Sequence, residues 1–428
     1  MRIFQGVTGQ AGQPDALARG LRQRGNDARS FTIADHRFGY RADERLDIQD
    51  SRDMPHVREI TLDLIERFDV FHFHARPIVP FSPNLIYPAM HDVLLIRSYG
   101  KKVFLHLRGG EIRDRQLFAR KSPFAYSYIQ ECSHLFDSIT DDHKRLLKSV
   151  LLEICNGVFV VDPELQTYVP EADIVPRALD PSSWQYVGSG LSDTPLVVHA
   201  PSRRTVKGTD FVLSAIENLR RKGINFRFQL VDGLSNDQAK DIYSRADIVI
   251  DQLRIGWYGV LAVEAMALGK VVICYIRDDL WDKHGQELSI LNANPNNIEE
   301  VLEEAISNRE MRAKLGKKSR AYFEKTHSVD VVCDILEELY SRPNKPVETR
   351  AFSYLNDYQF RLVKNDVVGK TAAATTAQRE LARFERGKAI PSELRGQLRL
   401  AGRLPIYMLR HIAKQALARV VRPNKRMR

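Results

Sequence analysis

Short apolar runs that stop at a glycine or a polar residue alternate along this chain with stretches of helical spacing, and they do so in two separate series. The first series opens with MetArgIlePheGlnGlyVal, a strand-like run that stops at Gly6. A glycine-bearing loop and a helical segment from Ala16 to Gly25 follow it. PheAspValPheHisPhe (68–73) reads as a buried strand, 87–99 as a helix, and LysValPheLeuHisLeu (102–107) as another strand. A helix around 144–155 then leads into GlyValPheValVal (157–161). Strands that alternate with helices predict a parallel, doubly wound sheet. The segment TyrValGlySerGlyLeuSerAsp (186–193) reads as a linker, after which LeuValValHisAla (196–200), 226–231, 247–251 and 270–275 repeat the pattern. The expected architecture is α/β, with two Rossmann-like domains whose parallel sheets face each other across a cleft. The first spans 1–185; the second spans 186–345, with a final helix (328–340) packing back; 346–428 is a helical appendage.

A chain of 428 residues, 43% hydrophobic and 28% charged, can supply two such cores. It contains no run near the roughly 18 apolar residues that span a bilayer and no signal-peptide pattern at its start, so a cytoplasmic protein is expected. Cys132, Cys155, Cys274 and Cys333 are isolated, with no CxxC pair and no histidine at ligand spacing; reduced core thiols are expected. The net charge of +10 belongs to the end of the chain, because from Arg386 onward twelve basic residues face one acid, Glu393. Those charges interleave with Leu394, Leu398, Leu404, Leu409 and Ile412, and Pro405 divides them into two short amphipathic pieces. The pattern suggests peripheral attachment to an anionic membrane surface at the inner face. Aromatic residues are nearly absent there, so nucleic acid is not an expected partner.

Ligands of open parallel sheets bind beyond the carboxyl ends of the strands. After 196–200 comes ProSerArgArgThrValLysGlyThrAsp, where Arg203, Arg204 and Lys207 gather just before a helix. Cations together with the N–H groups of a helix start make a diphosphate site that needs no metal; the alternative is an exposed loop with three charges. After Asp251, Gly256 and Gly259 permit close backbone approach, and a helix begins near Val260. Glu264 lies on that helix among Ala262, Ala265 and Ala267, whose small size implies tight packing. A buried or partnered carboxylate is the better reading, with ribose hydroxyls as natural partners.

The stretches HisAlaProSerArgArgThrValLysGlyThrAsp, SerArgAlaAspIleValIleAspGln and GlyTrpTyrGlyValLeuAlaValGluAlaMetAlaLeuGlyLysValVal resemble the donor half of glycosyltransferase family 4 over about 196–280. The likeness is weaker over 1–180 and does not cover the tail. It implies the GT-B fold, no cofactor or metal, and sugar transfer with retention by front-face displacement. It also implies that Arg203 or Arg204, with Lys207, binds the diphosphate, that Glu264 holds the ribose, and that Gly256, Trp257, Tyr258 and Gly259 line the nucleotide-sugar. The family has a glutamate where this chain has Gly256, which leaves the donor sugar open. It also has His-Gly and then Asp where this chain has Arg108, Gly109 and Glu111.

Further residues are expected to face acceptor or donor: Gly9, Gly12 and Gln13 in the first loop, His72 and His74 at a strand end, Arg108 and Glu111. The loop spacing is not that of a dinucleotide fingerprint. Both imidazoles point to one side, alternating with Phe71 and Phe73, and chance placement there is as good a reading as an acceptor role; His106 reads as packing. AspAspHis at 141–143 reads as a helix N-cap, and neither it nor the Asp278–Asp279 pair is expected to hold a metal. The expected activity is transfer of a sugar from a UDP or GDP donor to a glycan or lipid-linked acceptor. The alternatives are an epimerase of the same fold and a degenerate sugar-nucleotide-binding scaffold.

Overall fold

A computed structural model describes residues 1–34, 39–51, 53–80, 90–137, 140–190 and 192–347. The expected amphipathic tail and the start of the helix expected from 87 lie outside the described residues. Two all-parallel sheets form. The first has seven strands: β1 (Arg2–Gly6), β2 (Asp27–Thr32), β3 (Glu44–Arg45), β4 (Val70–His74), β5 (Lys102–Leu107), β6 (Gly157–Val160) and β7 (Asp173–Ile174), in the order β3-β2-β1-β4-β5-β6-β7. The second has five: β8 (Leu196–His199), β9 (Arg227–Leu230), β10 (Ile248–Ile250), β11 (Val271–Cys274) and β12 (Ile290–Asn292), in the order β12-β11-β10-β8-β9. No helix among the described residues is long and apolar enough to cross a membrane.

The central strands are the ones read from sequence, because both of their faces are covered and they are apolar almost throughout. β2, β3, β7 and β12 were missed. β2 reads AspAlaArgSerPheThr and alternates in burial, while the other three have only two or three residues, too few for a period to show.

Side chains of the first sheet divide by strand parity. Phe4, Phe71, Phe73 and Leu105 enter one core, and Ile3, Val70 and Phe104 enter the other, where the helices Gln13–Gln23 and Val329–Ser341 cover the sheet. The second helix belongs in sequence to the other half of the chain. It returns at a double crossing, where Leu179 N–H donates to the His327 carbonyl and Val329 N–H to the Leu179 carbonyl, each at 2.9 Å.

On this covered face the carboxyl halves of β1, β4 and β5 carry Gln5, His72, His74 and His106, all fully buried. They close a hydrogen-bonded ring with Arg108 and with Tyr340 of the returning helix. An arginine only donates, so the Nδ1 atoms of His74 (2.5 Å) and His106 (3.3 Å), which face Arg108 Nη2, must be unprotonated acceptors. His74 Nε2–H then donates to Gln5 Oε1 (2.8 Å), and Gln5 Nε2 donates to the Tyr340 hydroxyl (3.0 Å). Tyr340 donates to His72 Nδ1 (2.6 Å), and His72 Nε2–H donates to His106 Nδ1 (3.2 Å). One direction accounts for the bonds of the ring and makes all three imidazoles neutral, with the one lone pair of His106 Nδ1 shared between Arg108 and His72. Burial, the largest cause, and the Arg108 charge hold their pKa values well below the ordinary value.

The ring ties the returning helix to three strands. Tyr340→Phe leaves His72 Nδ1 and Gln5 Nε2 unpartnered in the interior and is expected to cost about 1–3 kcal/mol. A lower urea midpoint at unchanged slope would register the loss.

Candidate functional site

The carboxyl edge of the second sheet faces the first domain, and the groups along it follow strand order. Asn236 comes after β9, Lys207 after β8, Gly259 after β10 and Arg277 after β11. Lys207 Nζ donates to Oδ1 of the buried Asp251 at 3.0 Å and to Gln252 Oε1. Asp251 Oδ2 accepts the backbone N–H of Gly259, the residue before the helix Val260–Ala267. A β-carbon on Gly259 would lie 3.1 Å from Lys207 Nζ and 3.0 Å from Asp251 Oδ2, so a side chain there would crowd the ion pair. No side chain caps this helix. Its first-turn N–H groups and a positioned ammonium thus share one corner, an arrangement suited to a phosphate dianion.

Glu264 occupies the next turn of the same helix and is 5% exposed. Asn236 Nδ2 donates to its Oε1 at 3.2 Å, and the same amide lies 3.5 Å from the hydroxyl of Tyr40, which comes from the first domain. Burial raises the Glu264 carboxyl to about 7, the Asp251 charge adds to the rise, and the Asn236 bond opposes it. Tyr40 also touches the first loop, since its ring lies 3.1 Å from where a β-carbon of Gly12 would stand. Other bonds across the cleft run from Thr205 Oγ1 to Glu131 Oε2 (2.9 Å) and from Arg254 Nη1 to the Phe124 carbonyl (3.3 Å).

Solved glycosyltransferase structures share this arrangement of two domains. HepE of Anabaena, in complex with UDP and glucose, superposes with a TM-score of 0.53 at 13% identity over 79% of this chain and 98% of that one. Sucrose-phosphate synthase of Thermosynechococcus elongatus gives 0.52 at 12% identity, covering 79% and 98%. A glycosyltransferase of Rickettsia africae gives 0.52 at 12% identity, covering 83% and 98%. The chain has the GT-B fold. No family model and no curated protein matches its sequence.

Within this GT-B frame the expected residues separate. Lys207, Gly259 and Glu264 converge around Asp251. Arg203 and Arg204 stand beside them, both exposed; Arg204 pairs with Asp232 at 3.1 Å, with each side chain 56% exposed. The side chains of Trp257 and Tyr258 turn away from the edge. Trp257 is 4% exposed and stacks on Tyr258, whose hydroxyl bonds Tyr322 and His327 at 2.9 Å each. They pack the second core, so only their backbone is left to meet a ligand.

In the first domain Gln13 is buried. Its amide bonds both backbone groups of Ala178, at 2.9 and 2.7 Å, holding the segment that leads to the second domain. Gly9 accepts the Gly12 N–H at 2.7 Å within the loop, and Glu111 accepts the Arg108 backbone N–H within its turn. His72 and His74 belong to the buried ring, where neither imidazole reaches solvent. His72, His74 and His106 also have the spacing of a metal ligand set, with ring nitrogens within 4.8 Å of one another. Two of the three direct Nδ1 at the Arg108 guanidinium, which occupies the place a cation would take. Burial lowers Arg108 to about 9, which still leaves it charged at neutral pH.

Four residues were not singled out from sequence: Asp251, Asn236 and Arg277 on the edge and Tyr40 facing it from the first domain. Asp251 could have been found, as a carboxylate closing the apolar run IleValIle. Asn236 and Tyr40 are brought to Glu264 only by folding, and no local pattern marks them.

Proposed function

We propose that the chain is a glycosyltransferase that moves a sugar from a nucleotide-sugar to a hydroxyl of a glycan or lipid-linked acceptor, without a metal and with retention of configuration. The observation that carries this reading is the Lys207 ammonium, fixed by a buried aspartate at the uncapped start of the helix that also bears the buried Glu264. When the bond from the anomeric carbon to the diphosphate oxygen breaks, its electron pair stays on that oxygen. Lys207 and the helix N–H groups stabilise the developing charge. The same oxygen takes the proton of the attacking acceptor hydroxyl on the same face, which accounts for retention. Arg203 and Arg204 draw the dianion in. HepE was crystallised with UDP and with UDP-glucose, and uridine is accordingly the first nucleotide to test, with guanosine second. The basic segment after Arg386 would hold the enzyme at the inner membrane surface, where lipid-linked acceptors of envelope polysaccharides are presented.

A thermal-shift series with UDP, GDP, ADP and their sugars tests the reading. A nucleotide at 100 times its Kd adds about 2.7 kcal/mol to the folded state and raises the midpoint visibly. Failure of every nucleotide to shift it removes the proposal.

Glu264 supplies a second test. Ribose hydroxyls donate to a carboxylate, so nucleotide affinity is expected to fall as the pH drops below about 7, where burial leaves Glu264 protonated. Glu264→Gln is expected to weaken binding about tenfold to a hundredfold and to flatten that pH dependence, as isothermal titration at pH 6, 7 and 8 will show.

A further inference from the structure

Strand order along the second sheet gives the donor a direction. If the ribose lies at Asn236 and Glu264, beside β9, and the diphosphate at Lys207 and Gly259, after β8 and β10, the transferred sugar falls beside β11. The side chain that stands there is Arg277. Its guanidinium is almost wholly buried. Nε and Nη2 grip the two oxygens of Asp279, and Nη2 also donates to Thr167 Oγ1 of the first domain at 2.8 Å, so the group sits between the domains. Nη1 is buried with no hydrogen-bond partner among the described residues.

Gly256, at φ +97, packs against the stem of Arg277, where a β-carbon would lie 3.1 Å from Arg277 Cβ. Backbone conformation and crowding together exclude a side chain there, so no carboxylate at 256 can neutralise the guanidinium. Asp279 is 43% exposed and lies 3.8 Å from Lys121 as well, so its charge is shared between two cations. The two idle N–H groups of Nη1 on a buried cation call for an anionic acceptor, and a carboxylate oxygen forms a charge-assisted bond there that a neutral hydroxyl does not.

Resting on the proposed donor site, we propose that Arg277 reads a carboxylate on the transferred sugar, so that the donor is a nucleotide-linked sugar acid. Asp279 orients the guanidinium, and Thr167 holds it from across the cleft.

The test is titration calorimetry of the full chain with matched pairs, UDP-glucose against UDP-glucuronate and GDP-mannose against GDP-mannuronate. Wild type is expected to bind the acid of one pair about tenfold more tightly than the neutral sugar. In Arg277→Met that ratio is expected to fall below about twofold, and in Arg277→Lys, which keeps the charge but not the fork, to an intermediate value. The readout is a ratio, so a loss common to both ligands does not enter it. Melting of the unliganded variants shows that they fold; if Arg277→Met does not, the lysine variant decides. Equal binding of acid and neutral sugar by wild type, or a preference that survives in the variants, overturns the inference while the nucleotide reading stands. Absence of binding by any of the four ligands, together with no thermal shift from any nucleotide, removes both.

Discussion

Replacement of Lys207 by alanine is expected to lower turnover by about 10²- to 10³-fold, the usual cost of deleting one fixed donor aimed at developing negative charge. The size follows from how the ammonium is held. Lys207 is 15% exposed and its nitrogen rests on Asp251, which is wholly buried, so the charge waits at the start of the helix Val260–Ala267 and need not be reorganised when the diphosphate leaves. Arg203, exposed at the start of the preceding turn, lacks such support, and Arg203→Ala is expected to cost less. The lysine variant also strands the Asp251 carboxylate, and breaking a buried pair by removing one partner typically costs about 3–5 kcal/mol. Turnover must therefore be compared at a temperature where calorimetry shows both proteins folded. Lys207→Met combined with Asp251→Asn removes the stranded charge and is expected to regain much of the stability and none of the rate. Single-turnover sugar transfer within threefold of wild type in a folded Lys207→Ala protein would sink the assignment.

What sequence reasoning reached, and what it missed, divides along a physical line. β1, β4, β5, β6 and the core strands of the second sheet are continuous apolar runs because helices cover both of their faces, and such runs are visible without any partner. Lys207, Gly259 and Glu264 were legible for a related reason: each lies where an apolar run ends or a helix begins, so the sequence position already implies a place at the strand ends. The packing of the Trp257 and Tyr258 side chains was not legible, because a backbone that approaches a ligand and a side chain that fills a core occupy the same positions in sequence. The helix Val329–Ser341 chooses the first sheet, and Tyr340 meets Gln5 and His72 across more than 260 residues of chain. The histidines illustrate the difficulty most clearly. Alternation with Phe71 and Phe73 placed both imidazoles on one face, but whether that face met solvent or a returning helix depended on residues far away in the chain.

That returning helix makes stability depend on pH in a way that can be separated from every other group. The folded pKa values of His72, His74 and His106 lie below the unfolded value of about 6.5, so the unfolded chain takes up protons that the folded chain refuses. The ring's contribution is therefore complete above about pH 7 and is lost as the pH falls through 6.5. Each imidazole contributes about 1.4 kcal/mol between pH 7.5 and 5.5, and the three together about 4 kcal/mol. His199 and His327, lowered to about 4 by burial, act in the same direction. Glu264 and Asp92, raised to about 7 chiefly by burial, act in the opposite one, because the folded chain then holds protons the unfolded chain releases. The ring's share is isolated by His74→Gln. A glutamine can accept from Arg108 through its carbonyl oxygen and donate to Gln5 through its amide, so it preserves both bonds without titrating. Urea unfolding of wild type and variant at pH 7.5, 6.5 and 5.5 is expected to show the variant losing about 1.4 kcal/mol less than wild type across that range, about 1 kcal/mol of it below pH 6.5. Parallel pH curves for the two proteins would mean that His74 carries its proton in the folded state. Arg108, which can only donate, would then have to face elsewhere.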